Sequence, residues 1–462
     1  MTTHHFHLIG AGGAGMSVVG ELLTARGLVV TGSDQQDSAA LDRVRRSGAT
    51  VWVGHDPDHV DPDATIVVSS AIRESDPELA LARSRGQRVI HRSQALALAA
   101  AGMDFVAVAG THGKTTTSGM IAAALIEAGE DPSFAVGSVV TGIGSGAHLG
   151  SGRVFVAEAD ESDGSFLNYS PTVAVVTNIE PDHLDHYGTV QAFEQAFADF
   201  AQRIVPGGSL VTCADDPGAR ALAQSVADSV RVVTFGTSPA PAGAARHLAL
   251  TDITEDATGS TATVTIDQAQ FTLCVPVPGA HNVLNAAAAL AAGIELGVDT
   301  EAMIAGLAAF KGTGRRFEFR GEAGGVRVFD DYAHHPTEVR ALVEQARLAA
   351  GDGRVLVLFQ PHLYSRTRNF AADFADALRV ADDAVVADIY GSREDPIEGV
   401  SSRLITDHLG PGAYGGPLKD AARILADRAR EGDVVVTVGA GSVTEAGPCI
   451  LERCAAKETG RG

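Results

Sequence analysis

The sequence predicts an α/β protein of about three domains, and three observations lead there. At 462 residues the chain exceeds what one hydrophobic core organises, and about 150 residues per domain gives about three. Runs rich in Val and Ile alternate with alanine-rich stretches, the pattern of parallel strands joined by helices. Twice a strand-like run passes through a glycine turn into a helix, in "HLIGAGGAGM" (7–16) and in "VAVAGTHGKTTT" (106–117).

Taken in order, the first region carries "FHLIGAG", "LVVTGSD" and "ATIVVSSAI", each followed by a helix-compatible segment, and ends near "RSQALALAAAGMD". This places a first domain at 1–102. The second, 103–312, begins with "FVAVAGTHGK" and continues through "RVFVAEADESD" and "VAVVTNIEPDH"; its later part has a Pro/Gly/Ala loop, "GTSPAPAGAARH", ahead of a β-rich segment. The third, 313–462, follows the junction "KGTGRRFE", whose Gly312 and Gly314 make a plausible hinge, and contains "VRVFDDYAHH", "RVLVLFQPH", "DAVVADIYG" and "GDVVVTVGAGS". The apolar runs end in Asp34, Glu158, Asn178, Asp331, His362, Asp388 and Gly439. Parallel sheets bind ligands at the carboxyl ends of their strands, so these residues mark the functional edges.

Composition narrows the partners. A net charge of -22 with lysine only at 114, 311, 419 and 457 argues against nucleic-acid binding, so a bound anion must be held by local devices. The N-terminus lacks a basic stretch followed by an apolar run, and no segment reaches the roughly 18–20 apolar residues of a membrane span. Cys213, Cys274, Cys449 and Cys454 have no metal or redox spacing, which fits free thiols. The expectation is a soluble cytoplasmic protein without membrane insertion.

In "GAGGAG", Gly10, Gly12 and Gly15 fit G-x-G-x-x-G, a tight turn that brings a diphosphate to a helix N-terminus. Asp34 follows the second strand, where an acid meets a ribose. The pattern alone leaves a nicotinamide or flavin cofactor and another nucleotide diphosphate both open. "GTHGKTTT" is a shortened phosphate loop, G-x-x-G-K-T. Backbone amides from Gly110 to Lys114 can surround phosphate oxygens, Lys114 suits the β- and γ-phosphates, and Thr115 offers a hydroxyl to Mg²⁺. The acids Glu158, Asp160, Glu161 and Asp163, and then Asp182, His183, Asp185 and His186, follow the next two strands as candidate ligands of a hard cation. Spacing does not choose among them.

"GAGGAGM", "GTHGKTTT", "EADESD", "NIEPDHLDHY", "HNVLNAAAA", "GTGRRFE", "DDYAHHPTE" and "FQPHLYSRT", in this order over essentially the whole chain, resemble the Mur ligases of peptidoglycan synthesis. The resemblance implies a Rossmann-like domain for a UDP-sugar, a central P-loop ATPase domain and a C-terminal Rossmann-like domain for an amino acid. It implies ATP as co-substrate with one or two Mg²⁺, and L-alanine and UDP-N-acetylmuramate as the joined partners, in a monomer or homodimer. ATP would phosphorylate the lactyl carboxylate, and the alanine amine would displace phosphate from the acyl phosphate. Shielding that intermediate from water calls for domain closure.

Carried over by position, the resemblance assigns the UDP-sugar to Gly10, Gly12, Gly13, Ala14, Gly15, Met16, Asp34 and Ser70. ATP falls to Gly110, Thr111, His112, Gly113, Lys114, Thr115, Thr116, Asn282, Asn285, Asp331 and Arg316 or its neighbour Arg315. Metal falls to Thr115, Glu158 and His183, and L-alanine to Tyr332, His334 and Arg366. Lys114, His183 and His334 are the catalytic candidates, with His335 an alternative for the last. Two positions depart from the family pattern. Leu363 stands where many relatives have arginine, leaving Arg366 or Arg368 for the amino-acid carboxylate. Ala333 stands where glycine is frequent, as in a muropeptide-recycling relative that attaches a peptide and is the alternative reading within the family. A carbamylated lysine is excluded from the central domain, since none lies between Lys114 and Lys311. An NAD-dependent oxidoreductase is the alternative of another class, resting on the first loop alone.

Overall fold

A computed structural model of the chain describes residues 4–392 and 394–459. It divides into two compact units. The first runs to Thr251 and adds Thr263–Leu273 and Leu284–Phe310; the second comprises Asp252–Ala262, Cys274–Val283 and the chain from Lys311 onward.

The first unit opens with a five-stranded parallel sheet ordered Thr50–Val53, Val29–Asp34, His5–Ile9, Thr65–Val68, Val89–His91. The chain starts in the middle strand, builds to one side and then to the other. The order reverses beside His5–Ile9, at the switch point where such sheets open a crevice for ligands. Sequence analysis names three of these strands. The two it lacks are the edge strands, four and three residues long, too short for any hydrophobic period to register.

The second sheet has ten strands. Its parallel centre is ordered Arg231–Gly236, Ser209–Cys213, Val173–Val176, Asp104–Ala109, Val154–Glu158, Ser133–Val140. Antiparallel Ser145–His148 borders one side. Arg246–Asp256, Gly259–Ile266 and Ala269–Val275 border the other, forming the β-rich segment expected after the Pro/Gly/Ala loop. Val106–Ala109 and Val173–Val176 are buried without alternation, because helices cover both faces of a parallel sheet. In register, Val108 faces Glu158 and Ala109 faces Val176. The turn leaving Ala109 therefore emerges between the two acid-rich segments.

Helix Lys114–Glu127, which leaves that turn, is buried over most of its length and shows no clean amphipathic stripe. Small residues permit this, as its contact with helix Thr300–Ala308 illustrates. A Cβ added at Gly306 would stand 2.6 Å from the Ala124 Cα and 2.8 Å from its carbonyl oxygen, so only glycine allows the two backbones this close.

The second unit holds a six-stranded sheet ordered Glu318–Ala323, Val326–Asp331, Val434–Val438, Val355–Phe359, Asp383–Ala387, Gly415–Gly416, antiparallel only in its first pair. Alternate residues of Val355–Phe359 feed opposite cores: Val355, Val357 and Phe359 meet Phe374 and Leu378, while Leu356 and Leu358 meet Leu425 and Ile450. No helix of the described residues is long and apolar enough to cross a membrane.

Gly306→Val is expected to lower stability by about 1–3 kcal/mol through overpacking against Ala124. The readout is a lower apparent Tm in thermal unfolding.

Candidate functional site

The first glycine loop is shaped by the neighbouring strand. The amides of Gly10 and Ala11 both donate to the Ser33 carbonyl at 2.8 Å, and Gly12 N donates to Asp34 Oδ2 at 2.9 Å. Asp34 also accepts from Gln36 N at 3.1 Å, so its carboxylate is fixed at the rim of the loop. Helix Ala14–Ala25 then begins with no side-chain cap and no acid in its first turn. Its first N–H groups and positive dipole end therefore remain for an anion. Ala14 is exposed, whereas Met16 is buried in the core, which leaves Met16 only its backbone to offer a ligand. Ser70 gives its hydroxyl to Asp163 at 2.6 Å.

The phosphate loop is braced by the segment after Val173–Val176. Thr111 Oγ1 exchanges hydrogen bonds with Glu180, donating to its carbonyl at 2.8 Å and accepting from its amide at 2.9 Å. Asn178 closes a similar ring with His112, accepting from its amide at 2.8 Å and donating to its carbonyl at 3.1 Å. The His112 ring meets the Glu180 carboxylate at 2.7 Å. Gly110 (φ 128°) and Gly113 (φ 82°) lie in the left-handed region that side chains disfavour; a Cβ at Gly110 would collide with the Thr177 hydroxyl. Gly113 caps helix Lys114–Glu127, which again has no side-chain cap and no acid in its first turn. Thr115 and Thr116 are buried in that turn, and Thr117 donates to Asn285 Oδ1 at 3.2 Å.

Lys114 folds back over the loop. Its Nζ donates to the carbonyls of Gly110 (2.6 Å) and Thr111 (3.2 Å) and to Glu161 Oε1 (2.9 Å). Burial alone would discharge this lysine, yet the Glu161 carboxylate beside it holds its pKa above the ordinary value. Burial pushes Glu161 up to about 7 despite the pull of Lys114, and its Oε2 is buried with no hydrogen-bond partner among the described residues. His183 Nε2 lies 3.8 Å from Glu161 Oε1 and 3.6 Å from Asp182 Oδ2. The acid loop is anchored from below: Phe166 packs on Phe197 and Phe200, and Tyr187, against Phe193, donates to the Glu161 carbonyl.

Glu158 ends its strand with its carboxylate accepting from Gly137 N at 2.7 Å. The acid that meets Lys114 and His183 is thus Glu161, one of the four candidate cation ligands in the sequence but not the one the resemblance singled out. Its only signal was membership of "EADESD", where spacing could not rank four acids. Asp160, its neighbour, is bonded to Arg92 at 2.6 Å, and against the upward push of burial the guanidinium holds its pKa down to about 2, below the usual carboxylate range. 

In the second unit, Asp331 ends a strand and accepts from the amides of Phe317 and Ala333, both at 2.7 Å; burial raises its pKa to about 6 although Arg316 opposes this. Arg315 is committed within the fold, donating to Asp330 at 3.0 Å and to the Gly439 carbonyl at 2.6 Å. Both Arg315 and Arg316 lie over the Tyr332 ring, at 4.9 and 5.4 Å. His334 Nδ1 is 3.0 Å from the Tyr332 carbonyl, which can only accept, so Nδ1 carries the proton and Nε2 the lone pair. Burial pushes the ring's pKa down to about 3. His335 is buried at the N-cap of Pro336–Ala350, and Glu338 accepts from the amides of both histidines. Arg366 is buried 3.4 Å from His362 Nδ1, and Leu363 is buried with φ 69°. Asn282 donates to the Pro278 carbonyl at 2.8 Å, three residues before Asn285 on helix Ala280–Glu295.

Three family models match the chain in order: the Mur ligase family catalytic domain at 5–103, the Mur ligase middle domain at 108–293 and the Mur ligase glutamate ligase domain at 315–441. The UDP-N-acetylmuramate–L-alanine ligase of Renibacterium salmoninarum is 52% identical over 99% of this chain and 97% of its own length. The enzyme of the same name from Kineococcus radiotolerans is 54% identical over 96% and 95%. Among solved structures, UDP-N-acetylmuramate–alanine ligase MurC of Thermotoga maritima superposes with a TM-score of 0.80 at 28% identity, covering 98% of this chain and 99% of that one. A murein peptide ligase of Psychrobacter arcticus reaches 0.72 at 25% identity, with 98% and 99% covered.

Two outcomes are expected. Gly113→Ala forces a side chain into the left-handed region, 2.6 Å from Asn285 Oδ1; at about 1–2 kcal/mol of strain this weakens ATP binding about tenfold or more by calorimetry. The His334 imidazole stays neutral, so its NMR shift is flat from about pH 8 to pH 5, below the ordinary histidine range. A midpoint near 6.5 would show a solvated ring instead.

Proposed function

The chain belongs to the Mur ligase family, and on that premise we propose that it joins L-alanine to the lactyl carboxylate of UDP-N-acetylmuramate, converting ATP to ADP and phosphate in cytoplasmic peptidoglycan precursor synthesis. The observation that carries this reading is the chain-long identity of 52% and 54% with alanine ligases. In it, residues 1–102 hold the UDP-sugar, 103–312 hold ATP and 313–462 hold L-alanine.

A carboxylate is a poor electrophile until its oxygen becomes a leaving group. Attack of the lactyl carboxylate on the γ-phosphorus expels ADP and forms an acyl phosphate. The alanine amine then adds to the carbonyl carbon, and phosphate departs with the electrons of the broken C–O bond. The amides of 110–114 and the uncapped helix behind them would hold the ATP phosphates. Lys114 needs only to exchange two backbone carbonyls for phosphate oxygens, with its charge already present in the ground state.

The neighbourhood fits Mg²⁺: Glu161 offers a buried oxygen with no hydrogen-bond partner among the described residues, and Thr115, Glu158 and His183 would complete an oxygen-rich set for one or two ions. When bound, Mg²⁺ neutralises charge on the β- and γ-phosphates. On the amino-acid side, Tyr332 and Arg366 would hold the alanine carboxylate, since Leu363 brings no charge there. His334 would present Nε2 to the amine. With a pKa near 3 it accepts a hydrogen bond at every physiological pH but retains a proton poorly, which supports orienting the amine over storing its proton.

Phosphate release from ATP and Mg²⁺ is expected to require both UDP-N-acetylmuramate and L-alanine, and Lys114→Ala to slow it on the order of 100- to 1000-fold. Release that needs a tripeptide instead of L-alanine would reassign the chain to the peptide-attaching branch; no release with either acceptor would overturn the ligase reading.

A further inference from the structure

We propose that Arg92 is a positioning residue that couples UDP-sugar binding to the ATP site, a role that rests on the ligase reading above. Arg92 follows the edge strand Val89–His91 and opens helix Arg92–Ala99. Its Nη2 donates to Asp160 Oδ2 at 2.6 Å, and its Nη1 lies 2.7 Å from where a Cβ on Gly15 would stand. One guanidinium therefore touches both loops: the start of helix Ala14–Ala25 on one side, and the acid loop after Val154–Glu158 on the other.

The third glycine of G-x-G-x-x-G ordinarily makes room for helix–strand packing. Here the atoms crowding Gly15 belong to Arg92, so this glycine makes room for a guanidinium. Asp160 is followed in the chain by Glu161, which holds Lys114 at 2.9 Å. A continuous path thus runs from Gly15 through Arg92 and the Asp160–Glu161 pair to Lys114. The acid loop and the segment after it are also fastened to the same domain by Ser70 to Asp163 at 2.6 Å and by Asn168 to Ser93 at 2.8 Å.

The planar fork of arginine presents donors in two directions, so Arg92 can keep Asp160 while turning its other nitrogen to a diphosphate oxygen. A diphosphate arriving at Gly10–Met16 meets a guanidinium already oriented by Asp160. Once bound, it holds the acid loop, and through it Glu161 and Lys114, in the arrangement that accepts ATP. Linkage makes the effect reciprocal: bound ATP tightens the UDP-sugar by the same factor.

Calorimetry of UDP-N-acetylmuramate, alone and with a non-hydrolysable ATP analogue plus Mg²⁺, tests this in wild type, Arg92→Gln, Arg92→Lys and Asp160→Asn. The analogue is expected to tighten UDP-sugar binding about tenfold in wild type. That factor should fall toward one in Arg92→Gln and in Asp160→Asn, and to an intermediate value in Arg92→Lys, which keeps the charge but not the fork. Affinity for the analogue alone should survive in both Arg92 variants, which loss of folding would not allow. Asp160→Asn leaves Arg92 in place and so tests the path rather than the arginine. An unchanged factor in both Arg92→Gln and Asp160→Asn, or no coupling in wild type, overturns this role alone. Failure of wild type to bind the UDP-sugar overturns it together with the ligase reading.

Discussion

The site depends on how a buried lysine is kept charged at the positive end of a helix. Lys114 stands at the first position of Lys114–Glu127, where both the helix dipole and desolvation oppose a cation. Two loop carbonyls and the Glu161 carboxylate offset that opposition. These partners are ones that phosphate oxygens can replace, because an anion at the same helix end satisfies the lysine, the loop amides and the dipole together. The resting structure is therefore arranged around a charge that nucleotide binding stabilises further.

That arrangement follows from strand order. The strand carrying the loop lies between Val154–Glu158 and Val173–Val176, so each neighbour delivers its following segment to one side of Ala109. One side supplies Glu161; the other supplies Thr177, Asn178 and Glu180, whose bonds to Thr111 and His112 set the loop's shape before any ligand arrives. Catalysis by electrostatics needs such preorganisation, since donors that must first be assembled lose part of their effect. The second unit shows the same economy at Asp331, where two backbone amides fix a carboxylate that burial alone would leave protonated.

Much of this was legible in the sequence, for reasons that differ by element. Central strands such as "VAVA" and "VAVV" announce themselves because burial on both faces demands unbroken apolar runs. Thr50–Val53 and Val89–His91 do not, being short edges. The glycine loops were legible because a left-handed turn before a helix admits few residues. Glu161 was visible only as one of four acids, and Met16, within a glycine motif, turned out to serve the core with its side chain. Arg92 belonged to no motif at all.

The sequence by itself determined the α/β class, the two glycine loops and the family, because strand periodicity, turn chemistry and motif order are local properties of the chain. Only the tertiary structure decided which acid faces Lys114, where Ser70 spends its hydroxyl and what crowds Gly15. Those pairings join residues 47, 93 and 77 positions apart, and such distances are closed by sheet order and helix packing rather than by anything written between the partners.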